Sequence, residues 1–298
     1  MAGELVTRAG LIEWAGLLFG GRPLPWRFRA IEGWEELPAL DDASALRSGA
    51  HGADVGQLLA QPRIVTLDGV ITSDQVGVDV AALNRATTVR DGEQPLVVWL
   101  DDRGPLLAHG RVVRRRVPTE REYALGISFG WAVQWVCSDP RRYDLAEQQA
   151  ATGLPVPEPG LDWGTSPAGL DWTTGAGGLD WGAPGATGDI LAVNSGNAPA
   201  HPTITITGPV QTPTLLDVVS GARLEYDLTL AVGDVLTVDT AAGSVLLGGA
   251  DRLSSVTARS VPEQTFLFEP GETALAYRSA DLTPTASTCT VTWRSAYW

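Results

Sequence analysis

The sequence has little of the chemistry that enzymes and metalloproteins use: no lysine, two cysteines and three histidines among 298 residues. Cys137 and Cys289 lie far apart, and no Cys or His pair has the spacing of a zinc site, so we expect neither a disulfide framework nor a bound metal. No apolar run reaches the roughly 18 residues of a membrane-spanning helix, and no leader segment is recognisable. These absences predict a soluble protein of a reducing cytoplasm, without a cofactor.

The charge balance is acidic, with a formal net charge of −14. Residues 1–149 hold 16 Arg against 20 acidic side chains, and residues 150–298 hold 5 Arg against 15. Such a surface repels phosphate groups and disfavours specific binding of nucleic acid. One basic run, Arg111–Arg116, departs from this pattern. In a strand, Arg114 and Arg116 would share a face, and we expect them to pair with acidic neighbours or with a partner subunit.

No catalytic constellation is recognisable. The sequence contains no nucleophile elbow, phosphate-binding loop or dinucleotide fingerprint, and His51, His109 and His201 lie in different segments. The pairs Asp41-Asp42 and Asp101-Asp102 could serve a metal site or sugar hydrolysis, but both stand in loops where Asp forms turns. We therefore expect no catalytic residue, and a protein that is not an enzyme.

Residues 1–146 are predicted to form a β-barrel or sandwich with one helix. Trp26–Ile31 alternates large apolar with charged residues, as a half-buried strand does, and Tyr123–Val136 is a long apolar run. Apolar residues at three- and four-residue spacing predict a helix from about Gln75 to Val89. Leu37–Gln61, rich in Asp, Gly, Ala and Ser, is predicted to be a long surface loop.

Residues 147–188 are rich in Gly, Pro, Ala and Thr and contain three Gly-Leu-Asp-Trp copies at a period of nine: Gly160–Trp163, Gly169–Trp172 and Gly178–Trp181. The segment has too few apolar residues for a core of its own, which predicts an inter-domain linker. A calcium-binding β-roll shares this period but needs glycines that are absent here. The tryptophans Trp163, Trp172 and Trp181 are candidate packing staples, with sugar stacking as the alternative.

Residues 189–298 are predicted to form an antiparallel β-sandwich. Thr203–Thr207 and Cys289–Trp293 both alternate polar with apolar residues, and Leu224, Tyr226, Leu228 and Leu230 would share one strand face. Many short strands at about ten-residue spacing, without a helix, are typical of such a sandwich.

Several stretches follow one another in the order of a known family. In the first domain these are Gly10–Gly20, Ala30–Trp34, the glycine-rich loop Ala50–Gly56, Arg63–Leu67 and the Asp-Pro-x-x-Tyr exit within Cys137–Tyr143. After the repeat they are Val193–Ile204, the Gly208-Pro209 stop, Gly233–Asp239 and the closing Val291–Trp298. Together they resemble the distal tail proteins of long-tailed bacteriophages.

This resemblance implies a structural virion protein at the distal end of the tail, assembled in the host cytoplasm. The first domain would form a homohexameric ring, and the second would be a galectin-like, carbohydrate-binding-module-like sandwich outside it. The ring would join the major tail tube protein to the tail-tip protein and would offer a docking place to receptor-binding or side-fibre proteins. Trp14, Leu17, Leu18 and Phe19, with the loop Ala39–Gln61, are then candidate ring contacts.

The alternative function is a polysaccharide- or cell-wall-binding adhesin that uses the C-terminal sandwich. It would bind a host surface glycan through the repeat tryptophans or through Trp293, Tyr297 and Trp298, although the alternation around Trp293 predicts burial. A hydrolase with loop-borne carboxylates is disfavoured, because no pair of carboxylates has a partner that would tune it.

Overall fold

The computed structural model describes residues 2–156, 185–281 and 286–298, which fall into two compact units. The first unit comprises Met1–Ala146 and Ala296–Trp298, and the second comprises Glu147–Ser295. Both are built from antiparallel strands, which confirms the mostly β fold class. Within the described ranges, no helix has the length and apolar character that would carry it across a lipid bilayer.

The first unit contains twelve strands before the chain leaves it. They are β1 (Leu11–Trp14), β2 (Leu17–Phe19), β3 (Trp26–Glu32), β4 (Leu40–Asp41), β5 (Ala45–Leu46), β6 (Ala53–Asp54), β7 (Leu59–Ala60), β8 (Arg63–Thr72), β9 (Gln94–Trp99), β10 (Leu106–Arg116), β11 (Ile127–Cys137) and β12 (Arg142–Asp144). The main sheet has the order β2-β1-β9-β10-β11-β8-β3, and β12 pairs with the start of β10.

The long strand β10 joins the two halves of this sheet. Its first half pairs with β9, from Leu106 opposite Val98 to Gly110 opposite Gln94, and its second half pairs with β11. A side chain at Gly110 would meet the Sγ atom of Cys137 at 2.8 Å, so only glycine allows this close crossing. The two halves therefore pack face to face around one core.

The core of the first unit is apolar and rich in tryptophan. Trp14 and Trp135 lie edge to face with ring centroids 5.5 Å apart, and Trp26 and Trp131 do the same. The predicted helix is confirmed as α1 (Val76–Ala86), and its buried Leu83 packs into this core. The helix ends before Val89, with Thr87 as its C-terminal cap, and the Thr87 hydroxyl donates to the Leu83 carbonyl at 2.6 Å.

The predicted surface loop Leu37–Gln61 carries two short ladders. Strand β4 pairs with β7, and β5 pairs with β6, so the segment folds back on itself as a two-stranded projection. We call residues 37–61 the arm. The sequence did not predict these strands, because Asp, Gly, Ala and Ser are depleted in strands and the alternation is weak.

The second unit contains strands β13 to β24 and two 3₁₀ turns, Leu253–Ser255 and Glu263–Thr265. The strands are β13 (Gln148–Gly153), β14 (Asp189–Asn194), β15 (Thr203–Thr207), β16 (Val210–Gln211), β17 (Thr214–Asp217), β18 (Arg223–Glu225), β19 (Thr229–Leu230), β20 (Val235–Asp239), β21 (Ser244–Leu247), β22 (Ala250–Asp251), β23 (Gly271–Arg278) and β24 (Thr288–Trp293). They form a six-stranded sheet, β13-β24-β15-β20-β21-β22, and a four-stranded sheet, β14-β23-β17-β18, while β16 pairs with β19.

Alternation explains how the second unit folds. In β15, Ile204 and Ile206 are buried while the threonines on either side face outward, and in β24 the same holds for Cys289, Val291 and Trp293. Asn194 replaces an apolar residue at the end of β14. Its amide nitrogen donates to the carbonyls of Ala198 (2.8 Å) and Phe268 (2.9 Å), and so holds the following turn.

The unit boundaries differ from the predicted domains at two places. Residues 148–153, predicted as linker, form β13, which pairs with β24; its sequence Gln-Gln-Ala-Ala-Thr-Gly has no alternation of polar and large apolar residues and so carries little strand signal. At the other end, β25 (Ala296–Tyr297) pairs with β12 and so belongs to the first unit. A two-residue strand is too short to be separated by periodicity from the strand before it.

Candidate functional site

The arm carries a dense group of exposed apolar side chains. Leu46 is 88% and Val55 is 85% exposed, and Leu37, Leu40, Leu58 and Leu59 are exposed as well. On the surface of the arm, Arg47 pairs with Asp54 at 2.9 Å. Apolar side chains clustered on a projecting segment are typical of a surface that another molecule covers.

The base of the arm is rigid, because Arg63 fixes both of its ends. Arg63 is almost fully buried, and its guanidinium donates to the carbonyls of Gly33 (2.8 Å), Trp34 (3.0 Å) and Glu36 (2.7 Å), just before the arm, and to that of Pro140 (2.7 Å). Burial lowers the pKa of Arg63 to about 10. The arm thus leaves a fixed point of the fold.

A second arginine supports the same base. Arg142 lies over the ring of Trp34, with 5.7 Å between the guanidinium carbon and the ring centroid, and pairs with Glu35 at 3.0 Å. Burial alone would raise the pKa of Glu35, but the hydrogen bonds and charges of Arg103 and Arg142 hold it below its usual range. Arg142 also donates to the carbonyl oxygen of Trp298, which ties the returning C-terminal residues to the unit.

The residues predicted as ring contacts divide by burial. Trp14 is 2% exposed and Phe19 is fully buried, and both belong to the core of their own chain. The indole nitrogen of Trp14 donates to the Ala86 carbonyl at 3.0 Å. Leu17 and Leu18 are half-buried and pack against the same unit. Trp14 and Phe19 therefore have no free surface to offer another copy, whereas the predicted loop Ala39–Gln61 does.

The repeat starts and ends in the second unit. Val156 and Ala186 form an isolated antiparallel bridge with hydrogen bonds of 2.9 and 3.0 Å, and both lie between β13 and β14. The sequence predicted that this segment links the two units. The chain instead passes from the first unit to the second at Ala146 and Glu147, before the segment begins. Trp163, Trp172 and Trp181 lie outside the described residues.

The second unit shows no aromatic platform on its described sheet faces that would suit a sugar. Trp293 is buried, and its indole nitrogen donates to the Val193 carbonyl at 2.9 Å. The outer face of the six-stranded sheet is instead covered by threonines at matching register, such as Thr203 opposite Thr292 and Thr205 opposite Thr290. Cross-strand threonine pairs stabilise a sheet by their own packing. Tyr297 belongs to the first unit.

The polar pairs that might carry chemistry serve local structure. Asp41 and Asp42 accept hydrogen bonds from the backbone N–H groups of Ala43 and Ser44, as turn-forming aspartates do. Asp101 binds the guanidinium of Arg103. In the part of the chain that the structure describes, no three His, Cys, Asp or Glu side chains are grouped to hold a metal ion.

Part of the second unit matches the model of a known protein family. Residues 195–297 match the family model described as siphovirus-type tail component, C-terminal domain. No curated protein matches the sequence significantly.

The fold of the whole chain has solved counterparts. The Dit protein (gp 19.1) of phage SPP1, described as a paradigm of the hub adsorption apparatus in phages that infect Gram-positive bacteria, aligns with 97% of this chain and 99% of its own. The TM-score is 0.64 at 14% sequence identity. A chain of the phage P2 baseplate, in its activated conformation with Ca, aligns over 93% of both chains, with a TM-score of 0.48 at 11% identity. The predicted resemblance to distal tail proteins is confirmed, in sequence for the second unit and in fold for the chain.

Proposed function

We propose that this protein is a structural component of a siphophage tail, the distal hub. Copies would assemble through the first unit into a homohexameric ring that joins the major tail tube protein to the tail-tip protein and to receptor-binding or side-fibre proteins. The observation that carries the proposal is the family match of residues 195–297, supported by a fold likeness to a phage hub protein over 97% of the chain. The galectin-like character of the second unit is part of the proposal.

The arm supports self-association. Its exposed Leu46 and Val55 lose contact with water only if another molecule covers them, and each buried side chain of this size contributes roughly 1.5 to 3 kcal/mol. A projecting arm that binds a different surface of the next copy makes a head-to-tail contact, and such contacts close into rings when the rotation fits. The rigid base at Arg63 sets one direction for the arm, which favours a closed assembly of defined size.

Mass photometry of the purified protein tests this proposal. We expect a species of six times the chain mass, and the arm variant L46D/V55D is expected to be a monomer with an unchanged unfolding midpoint. The matched control is V89D, because Val89 is 94% exposed and lies outside the arm. A wild-type protein that stays monomeric at high concentration contradicts the ring, and an arm variant that still assembles contradicts the role of the arm.

The adhesin is the second candidate. Its support is the fold class of the second unit, since sandwiches of this kind also carry glycan sites. Glycan-array binding by the full chain, lost on replacement of Trp163, Trp172 and Trp181 by Ala, would favour it over the hub.

A further inference from the structure

One face of the first unit is basic, although the chain is acidic. The face is the solvent side of strands β3, β8, β11 and β10, where Arg111, Arg114 and Arg116 are exposed on β10. They stand opposite Val136, Gln134 and Ala132 of β11. The pairing shifts between Val112 and Arg114, so a bulge at Val113 brings all three arginines to the same face. We call them the arginine column.

The arginine column has no acidic partner among the described residues. The ion pairs of the first unit use other arginines, and none reaches Arg111, Arg114 or Arg116. Arg115, between them, turns to the opposite side and donates to Thr87 Oγ1 at 2.8 Å at the end of α1. Three cationic side chains are thus directed at solvent from one strand.

A depression beside the column offers further hydrogen-bonding groups. It has a volume of roughly 210 Å³ and lies between Arg114, Arg116, Thr66, Ala132 and Gln134. Gln134 Nε2 donates to Thr66 Oγ1 at 3.1 Å, which leaves the Thr66 hydroxyl able to donate outward. Guanidinium groups beside a hydroxyl donor suit carboxylates, which accept two parallel hydrogen bonds from arginine.

The backbone beside the column is also open. Strand β9 pairs with β10 only as far as Gly110, and in the described residues no strand lies on that side of Val112–Arg116. An exposed strand edge can accept an added strand from another chain. Alternate residues of an added strand lie about 7 Å apart, which is also the spacing of Arg114 and Arg116 along β10.

The apolar residues on this face favour a protein partner over nucleic acid. Ile64 and Phe129 are more than half exposed near the two ends of the column, and Val113 is half exposed within it. Nucleic acid would meet the acidic surface of the rest of the chain and gain little from these side chains, whereas arginine with aromatic residues is typical of protein interfaces. We propose that the arginine column and the edge beside it bind an extended acidic segment of another tail protein, with carboxylates at alternate positions and apolar residues between them.

This inference goes beyond the hub function, because it names a second binding surface and the chemistry of its occupant. The probe is a fluorescein-labelled peptide in which Glu and Val alternate, followed by fluorescence anisotropy with the full-length protein. We expect binding that weakens with salt, and at least a ten-fold loss of affinity in R114E/R116E. The matched control R8E/R121E has the same change in charge at exposed arginines elsewhere, and is expected to bind as the wild type does.

Further variants and probes distinguish the possible partners of this face. R114Q/R116Q, which removes the charges without reversing them, is expected to bind the peptide more weakly than the wild type and more tightly than R114E/R116E. An unfolding midpoint equal to that of the wild type in both variants checks that the loss does not come from misfolding. Equal binding by R114E/R116E, no binding by the wild type, or stronger binding of duplex DNA than of the peptide overturns the inference. Mass photometry of R114E/R116E is expected to show the wild-type assembly; its loss would assign the face to a second copy and also overturn the inference. If the protein forms a ring but does not bind the peptide, the proposed function stands and this inference fails. If it binds the peptide but forms no ring, this inference stands and the proposed ring fails.

Discussion

Val156 and Ala186 exchange both of their backbone hydrogen bonds, at 2.9 and 3.0 Å, and so close a long stretch of chain at its base. The residues on either side of this bridge, in β13 and β14, belong to the second unit. In sequence, the tryptophan repeat is therefore an insertion between two strands of one unit.

Removal of the insertion is expected to leave the second unit folded. A variant in which Asn-Gly replaces residues 157–185 keeps the bridge and joins its ends by a two-residue hairpin turn. Because the bridge already holds the ends together, we expect the thermal midpoint to change by only a few degrees. Circular dichroism melting checks this, and an unfolded variant would mean that the repeat belongs to the core.

Trp14 is expected to act on stability and not on assembly. Trp14→Ala removes a buried ring that packs on Trp135 and donates to the Ala86 carbonyl, which should cost about 3 to 5 kcal/mol of unfolding free energy. Leu17→Ala, at a half-buried position, should cost less. Urea unfolding measures the loss of unfolding free energy in both variants. A Trp14→Ala protein that is stable but fails to assemble would mean that Trp14 lies in the ring interface after all.

Some of the secondary structure was predictable from the sequence and some was not. Alternation identified β3, β15 and β24 because their buried and exposed residues differ sharply in polarity, and α1 followed from its apolar spacing. The strands of the arm were not predicted because the residues around Leu40, Ala45 and Ala53 show no alternation. The pairing of Ala296–Tyr297 with β12 in the first unit was not predicted either, because it joins residues that lie far apart in the sequence.

The candidate surfaces were only partly predictable from the sequence. Trp14 and Phe19 looked available because the sequence cannot distinguish a tryptophan that packs inside its own domain from one that packs on a neighbour. The arginine pattern was informative: Arg114 and Arg116 share a face as predicted. The bulge that adds Arg111 to them became visible only in the pairing with β11.

Arg63 is expected to hold the arm's base. In Arg63→Met, four carbonyls lose their donor in a nearly dry site, and one unsatisfied buried group costs about 1 to 3 kcal/mol. We expect a lower unfolding midpoint and faster hydrogen–deuterium exchange in residues 33–36. Arg47→Ala, an exposed ion-pair member, should change stability by no more than about 0.5 kcal/mol. Equal effects of the two substitutions would contradict the role of Arg63 at the base of the arm.

Glu225 is expected to make the second unit sensitive to acid. Burial raises the pKa of this carboxyl, but hydrogen bonds from Arg259 (2.7 Å) and Thr257 (3.0 Å) outweigh it, so the folded-state pKa lies below the usual range. Its contribution to stability is therefore present above the unfolded-state pKa of about 4.3 and is lost as the pH falls through the lower, folded-state value.

The test compares Glu225→Gln with the wild type at pH 6 and pH 3. After correction for the intrinsic pH dependence of amide exchange, we expect the protection of β18 and of its neighbour β17 against hydrogen–deuterium exchange to fall between pH 6 and pH 3 in the wild type, and to change less in the variant, which is already weakened at pH 6. Glu272→Gln, at an exposed carboxylate, serves as the control. An identical acid response in Glu225→Gln and the wild type would remove Glu225 from this role.

Electron microscopy of the purified protein tests whether the protein assembles itself into a tail hub. Negatively stained images are expected to show rings with six-fold symmetry and a central opening, and these rings are expected to disappear in L46D/V55D. A field of compact single particles at the same concentration, unchanged by that substitution, would contradict this assembly.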